Sequence, residues 1–160
     1  MQQDVESPAG QILPQGLDGR PATTFVEDGG RVAVADGDAT VTDAENATLE
    51  SLTVTITNLL DGTAESLSAD TTGTGISASY DAVAGVLTLS GTDTVTNYQA
   101  VLRSVAYANT SQNPNTTDRV LLLVAHDGLT DSNLGTTTVD VVAENDAPTV
   151  DDLLVSLAEH

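Results

Sequence analysis

Leu52-Thr53-Val54-Thr55-Ile56-Thr57 alternates apolar and hydroxyl residues with a period of two. This is the pattern of a strand that covers a core on one side only. Working outward, residues 25–30 (Phe25-Val26-Glu27-Asp28-Gly29-Gly30) read as a first strand running into a turn, and Val32 and Val34 alternate in a second short strand. Further strands are predicted at 76–80, 86–89, 105–108, 120–125 and 137–142, separated by turn residues such as Asp81-Ala82-Val83-Ala84-Gly85. About seven short strands at this spacing predict an all-β antiparallel sandwich with Greek-key connections. One segment breaks the pattern: Tyr98, Val101, Leu102 and Val105 fall at helical spacing, and Thr96 followed by Gln99 has the form of a capping box. A short helix is expected there, bridging two strands and closing the core with its apolar face.

Composition agrees with that class. Hydrophobic residues make up 39% of the 160 residues but aromatics only 2%, so the core has to be built from Val, Leu, Ile and Ala. Twenty-four acidic residues face four arginines and no lysine, for a formal charge of -20. Nucleic acid is excluded as a partner, since no basic patch exists to displace counterions and little aromatic surface to stack bases. An anionic membrane would repel the chain, and no apolar run is long enough to span a bilayer. Self-repulsion at this charge destabilises a compact state unless cations neutralise it. Without cysteine there is no disulfide or zinc-thiolate site, and without lysine no Lys-Asn isopeptide cross-link. The Met1-Gln2-Gln3-Asp4 start lacks the regions of a signal peptide. Residues 1–16 read as a linker or the tail of a preceding module, 17–148 as the sandwich, and 149–160 as the start of the next linker or a tag-derived end.

Val141-Val142-Ala143-Glu144-Asn145-Asp146-Ala147-Pro148-Thr149-Val150 is a strand that ends in a cluster of oxygen ligands and then a proline. Pro148 fixes φ and removes a ladder donor, so the sheet must stop there. Such a junction suits a hard cation between two modules. Asp43 and Glu45 lie two apart in a turn between strands, so both can face one ion, and Asp127 ends a buried-looking strand just before Gly128. Asp61 and Asp93 read as turn acids with no part in such sites.

These segments together resemble the cadherin-like tandem repeats of giant bacterial surface and secreted adhesins. The acid-Asn-Asp-x-Pro junction carries part of the likeness. The remainder lies in residues 34–45 and 49–56, in Ser79-Tyr80-Asp81 with residues 85–89, in residues 98–114, in Thr117-Asp118-Arg119 and in Asp127-Gly128. The likeness runs from about residue 17 to 150. It implies a cadherin- or immunoglobulin-like Greek-key β-sandwich in a secreted, often type I-exported, tandem module that stiffens with calcium (Ca2+). By the same resemblance Asp43, Glu45 and Asp127 gather at one pole and meet the linker of the module before. Glu27 joins Glu144, Asn145 and Asp146 at the other pole, to meet the module after. Glu45 stands where an aspartate is commoner, and Asp118-Arg119 is the nearest counterpart of the acid-Arg-acid triplet of classical cadherins.

An enzyme is not expected. His126 and Asp127 are strand neighbours that point to opposite faces, so they cannot act as a base and its orienter. Paired carboxylates abound, but four aromatic residues cannot build a glycosidase cleft. The expected function is a calcium-binding extender repeat of an extracellular adhesin whose partners are the neighbouring modules of its own chain. Two alternatives stand beside it: a calcium-dependent adhesion module that binds glycans or like modules on another cell, and an accessory domain of a large secreted hydrolase.

Overall fold

The computed structural model describes residues 11–13, 23–35, 39–43, 47–129, 131 and 135–146. Apart from residues 11–13, the predicted flanks at 1–16 and 149–160 lie outside the described residues, as does Glu45. In chain order the strands are β1 (Gln11–Leu13), β2 (Thr23–Val26), β3 (Val32–Ala33), β4 (Thr40–Thr42), β5 (Thr48–Ile56), β6 (Glu65–Ser68), β7 (Ser77–Asp81), β8 (Val86–Thr94), β9 (Ala106–Asn109), β10 (Arg119–His126) and β11 (Gly135–Val142). Among the described residues the one α-helix, α1 (Val95–Ser104), separates β8 from β9. The larger sheet has the order β2-β11-β10-β5-β8-β7, the smaller β3-β9-β6, and β1 pairs with β4. Every pairing is antiparallel except that of β2 with β11.

The chain is an all-β sandwich, and it steps between the two sheets as a Greek key does. Segments are more numerous than the expected seven because several are edge pieces of two to four residues.

The period-two reading of β5 holds residue by residue. Leu52, Val54 and Ile56 are buried, while Thr53 and Thr55 are half-buried on the outer face. Each inward side chain meets apolar partners across the ladder: Leu52 faces Leu89 and Ala125, Val54 faces Leu87 and Leu123, and Ile56 faces Leu121. Burying one such side chain contributes about 1.5–3 kcal/mol, so this small aliphatic set supplies a core without many rings. Helix α1 closes one end with Tyr98, Val101 and Leu102 buried. Its cap differs from the expected box. The Thr94 hydroxyl, not that of Thr96, accepts the Asn97 N–H at 3.0 Å. Strand β8 runs directly into the helix, so the capping position falls on the last residue in extended conformation. Gln99 is released for another task and accepts the Val41 N–H at 3.1 Å, tying α1 to β4.

All four aromatic residues are committed to packing. Phe25 meets Tyr107 edge-on, with centroids 5.4 Å apart, where the end of β2 crosses the smaller sheet. Tyr98 donates to the carbonyls of Glu50 and Gly91, Tyr107 to the Glu65 carboxylate, and Tyr80 to the Glu65 carbonyl. Burial pushes the Tyr98 phenol up to about 12, helped by Glu50 and Asp93. Burial first, then Glu65, raises Tyr107 further, and Tyr80 rises for the same reasons with Asp81 added. A phenol whose folded pKa exceeds its unfolded value stabilises the fold fully below about pH 10, and that contribution fades as pH climbs through the folded pKa. Stability should therefore fall between about pH 10 and 12. An ultraviolet titration should show Tyr98 and Tyr107 resisting ionisation near pH 10 in the native state and ionising as the protein unfolds.

An ionic cluster buried between the sheets fixes the end of the sandwich from which the chain leaves. Arg119 and Glu65 are both fully buried, with Arg119 Nε 2.7 Å from Glu65 Oε1, and Arg119 Nη2 lies 2.8 Å from Asp61 Oδ2. The other guanidinium nitrogen donates to the carbonyls of Asn115 and Thr117. Glu65 Oε2 accepts the Asp61 N–H, and Asp61 also accepts from Asn109 Nδ2 and the Asn115 N–H. Each charge thus has a partner, as a buried ion requires. The cluster joins β6, β9 and β10 to the loops beside them.

Candidate metal centre

Two poles follow from strand direction. The ends of β2, β5, β9 and β11 and the start of β10 lie at the linker pole, shown by the pairing of Glu27 N–H with the Val142 carbonyl and of Thr57 N–H with the Val120 carbonyl. The far pole holds the other end of β10, about 25 Å away for an eight-residue strand, where His126 pairs with Ser51.

At the linker pole β2 ends in a tight turn. Asp28 adopts the left-handed region (φ 62°), which aspartate tolerates better than most residues, and the Gly29 N–H returns to the Val26 carbonyl at 2.8 Å. Position 29 has to be glycine, since a Cβ there would stand 2.9 Å from that carbonyl oxygen. In a continuous strand Glu27 and Asp28 would point to opposite faces. The left-handed residue breaks that alternation and turns both carboxylates toward the outgoing chain.

Glu27, Asp28 and Asp146 consequently place one carboxylate oxygen each within 4.8 Å of one another, a group that can hold a metal ion. Glu27 is 2% exposed. Its Oε2 accepts the Glu144 N–H at 2.8 Å, whereas its Oε1 is buried without a hydrogen-bond partner among the described residues. An unsatisfied buried polar atom costs about 1–3 kcal/mol, and more when charged. Three clustered carboxylates add mutual repulsion. A cation removes both penalties, and an all-oxygen donor set suits a hard one.

Of the residues expected at this pole, Glu27 and Asp146 come together. Glu144 contributes its backbone N–H to Glu27 and leaves its side chain exposed, and Asn145 lies exposed between them. Asp28 was missed because a strand reading assigns it to the wrong face. The signal available was its place at the head of an Asp-Gly-Gly turn directly after an acid.

At the far pole, Asp127 accepts the Leu129 N–H at 2.7 Å just after β10, and half-buried Asp43 follows β4. Among the described residues neither joins a group of three or more acidic or histidine ligands. Asp61 and Asp93 are not idle turn acids. Asp61 belongs to the buried ionic cluster, and Asp93 accepts from Gly75 N–H, Thr94 N–H and Asn97 Nδ2, contacts that hold its carboxyl below the usual range. His126 pairs with Asp131 at 2.9 Å on the surface rather than with Asp127. Among the described residues no helix is long and apolar enough to cross a membrane.

No protein-family model matches this chain, and no curated protein does.

Proposed function

We propose that this chain is a calcium-binding structural repeat of a bacterial cell-surface adhesin, an extracellular extender module stiffened by calcium at its junctions. The observation that carries the reading is the orphaned Glu27 Oε1, buried beside Asp28 and Asp146 where the chain leaves the sandwich. Three carboxylates supply up to six oxygens, and calcium takes six to eight, so Asn145, water or a neighbouring module would complete the shell. The charge of -20, with no disulfide or isopeptide staple, gives a cation a large stabilising role. At the far pole, Asp43 and Asp127 with Glu45 would form the complementary half-site for the linker of a preceding module.

Calcium at such a junction cancels carboxylate repulsion, sets the angle between modules and holds a distant binding tip away from the cell. It does so without chemistry on a substrate. The alternative in which calcium bridges a glycan asks for an exposed aromatic as a stacking platform, and the four aromatic residues here are buried or half-buried.

The test is a protein of two tandem copies joined through Glu144-Asn145-Asp146-Ala147-Pro148. It should become longer and stiffer in small-angle scattering when calcium is added, while the single module hardly changes. Asp146→Ala should remove the stiffening and leave each sandwich folded, and Asp118→Ala, an exposed acid outside the cluster, should leave it intact. A tandem pair that binds calcium yet stays flexible would sink the spacer reading in favour of a surface ligand site.

A further inference from the structure

We propose that Gln112 is a positioning residue for the cation centre, aiming the Asp28 carboxylate from the β9–β10 loop and so setting the centre's affinity. This rests on the reading of the centre as a calcium site. Gln112 Nε2 donates to Asp28 Oδ1 at 2.9 Å, a contact between residues 84 apart in sequence. Asp28 sits exposed at the tip of its turn, so without a partner its carboxylate would sample several rotamers. The amide fixes the carboxylate in the orientation that brings one of its oxygens within 4.8 Å of the Glu27 and Asp146 oxygens. A neutral donor is the right chemistry: it fixes direction without cancelling charge, whereas an arginine in its place would compete with the cation.

Gln112 is exposed and borders a groove of about 330 Å³ shared with Phe25, Gly30 and Arg31, so the hydrogen bond to Asp28, rather than burial, is what defines its direction. The rest of its loop is anchored from the other side. Ser111 N–H donates to Asn109 Oδ1, Asn115 N–H donates to Asp61, and Arg119 holds the Asn115 and Thr117 carbonyls. Gln112 therefore connects a loop fixed by the buried ionic cluster to the turn that carries two of the three ligands. Occupancy of the centre, by holding Asp28 in one rotamer, would hold the loop through Gln112.

Calorimetric titration of the full chain with calcium, beside Gln112→Met and Asn113→Ala, tests this. Gln112→Met keeps the side-chain bulk and removes the donor. It should bind calcium about 10- to 100-fold more weakly, the usual loss for a removed outer-sphere partner. Its melting temperature in chelator should match the wild type, and Asn113→Ala should bind normally. Backbone hydrogen exchange across residues 110–118 should slow with calcium in the wild type and stay unchanged in Gln112→Met at the same calcium occupancy. Equal affinities for wild type and Gln112→Met, or a loss of metal-free stability with affinity unaltered, would overturn the proposal and leave the calcium reading standing. A wild-type chain that takes up no calcium would remove the calcium reading and this inference together.

Discussion

Arg119→Met should lower folding stability by about 3–5 kcal/mol, the usual result of removing one partner from a buried ion pair. Arg119 and Glu65 are both inaccessible to solvent, and the guanidinium serves Glu65, Asp61 and two loop carbonyls at once. Methionine fills much of the volume but brings no charge, so the Glu65 and Asp61 carboxylates keep only neutral donors (Tyr107 O–H and Asp61 N–H for Glu65, Asn109 Nδ2 and Asn115 N–H for Asp61) and lose their compensating cation. For a domain of this size the loss corresponds to a fall in melting temperature of roughly 6–20 °C. Glu65→Gln should cost less, about 1.5–3 kcal/mol, because the amide oxygen can still accept from Arg119 while the charge-assisted part is lost. Chemical denaturation of the two variants measures both values. A cost below about 1 kcal/mol for Arg119→Met would mean that water reaches the cluster and that it does not hold the β6, β9 and β10 ends together.

Glu27→Gln should separate the metal-free and calcium-bound states in opposite directions. In excess chelator the variant should melt at or above the wild type, because a buried charge beside two other carboxylates becomes an amide that still accepts the Glu144 N–H. With calcium the order should reverse. A ligand at a hundred times its dissociation constant adds about 2.7 kcal/mol to the wild type, and the variant should gain little of it. Thermal melts in chelator and in roughly 10 mM calcium, above the range of weak extracellular sites, measure the difference. Sodium at matched ionic strength should reproduce only the screening part of the stabilisation. If the wild type melts at the same temperature with chelator and with calcium, Glu27 is buried for another reason and the centre is not a calcium site.

Much of the architecture was legible because it is local. The alternation in residues 52–57 assigns faces without reference to any other strand, and the 3.6-residue spacing of Tyr98, Val101 and Leu102 marks α1 equally well. The ends of elements were less legible. Thr94 takes the cap that the spacing gave to Thr96, since the sequence does not show that β8 continues into the helix. Arg119 was read only with Asp118, as the counterpart of a cadherin triplet, and not as a core residue, because β10 is apolar on both faces. Val120, Leu122 and Val124 alternate as regularly as Leu121, Leu123 and Ala125, and only the packed sheet shows that Arg119 shares the inward parity.

Residue order alone sufficed for the fold class, the aliphatic core and the acidic junction after β11, because each follows from periodicity or composition within a few residues. The partners of the charged side chains needed the folded chain. Asp61 and Arg119 meet across 58 residues, Gln112 and Asp28 across 84, and Glu144 and Glu27 across 117, separations over which a linear pattern holds no distance information. Asp28 shows the reason most directly. One left-handed backbone angle carries its carboxylate from the face that strand geometry dictates to the face where Glu27 and Asp146 lie, and Asp146 is brought to that face only by the pairing of β11 with β2.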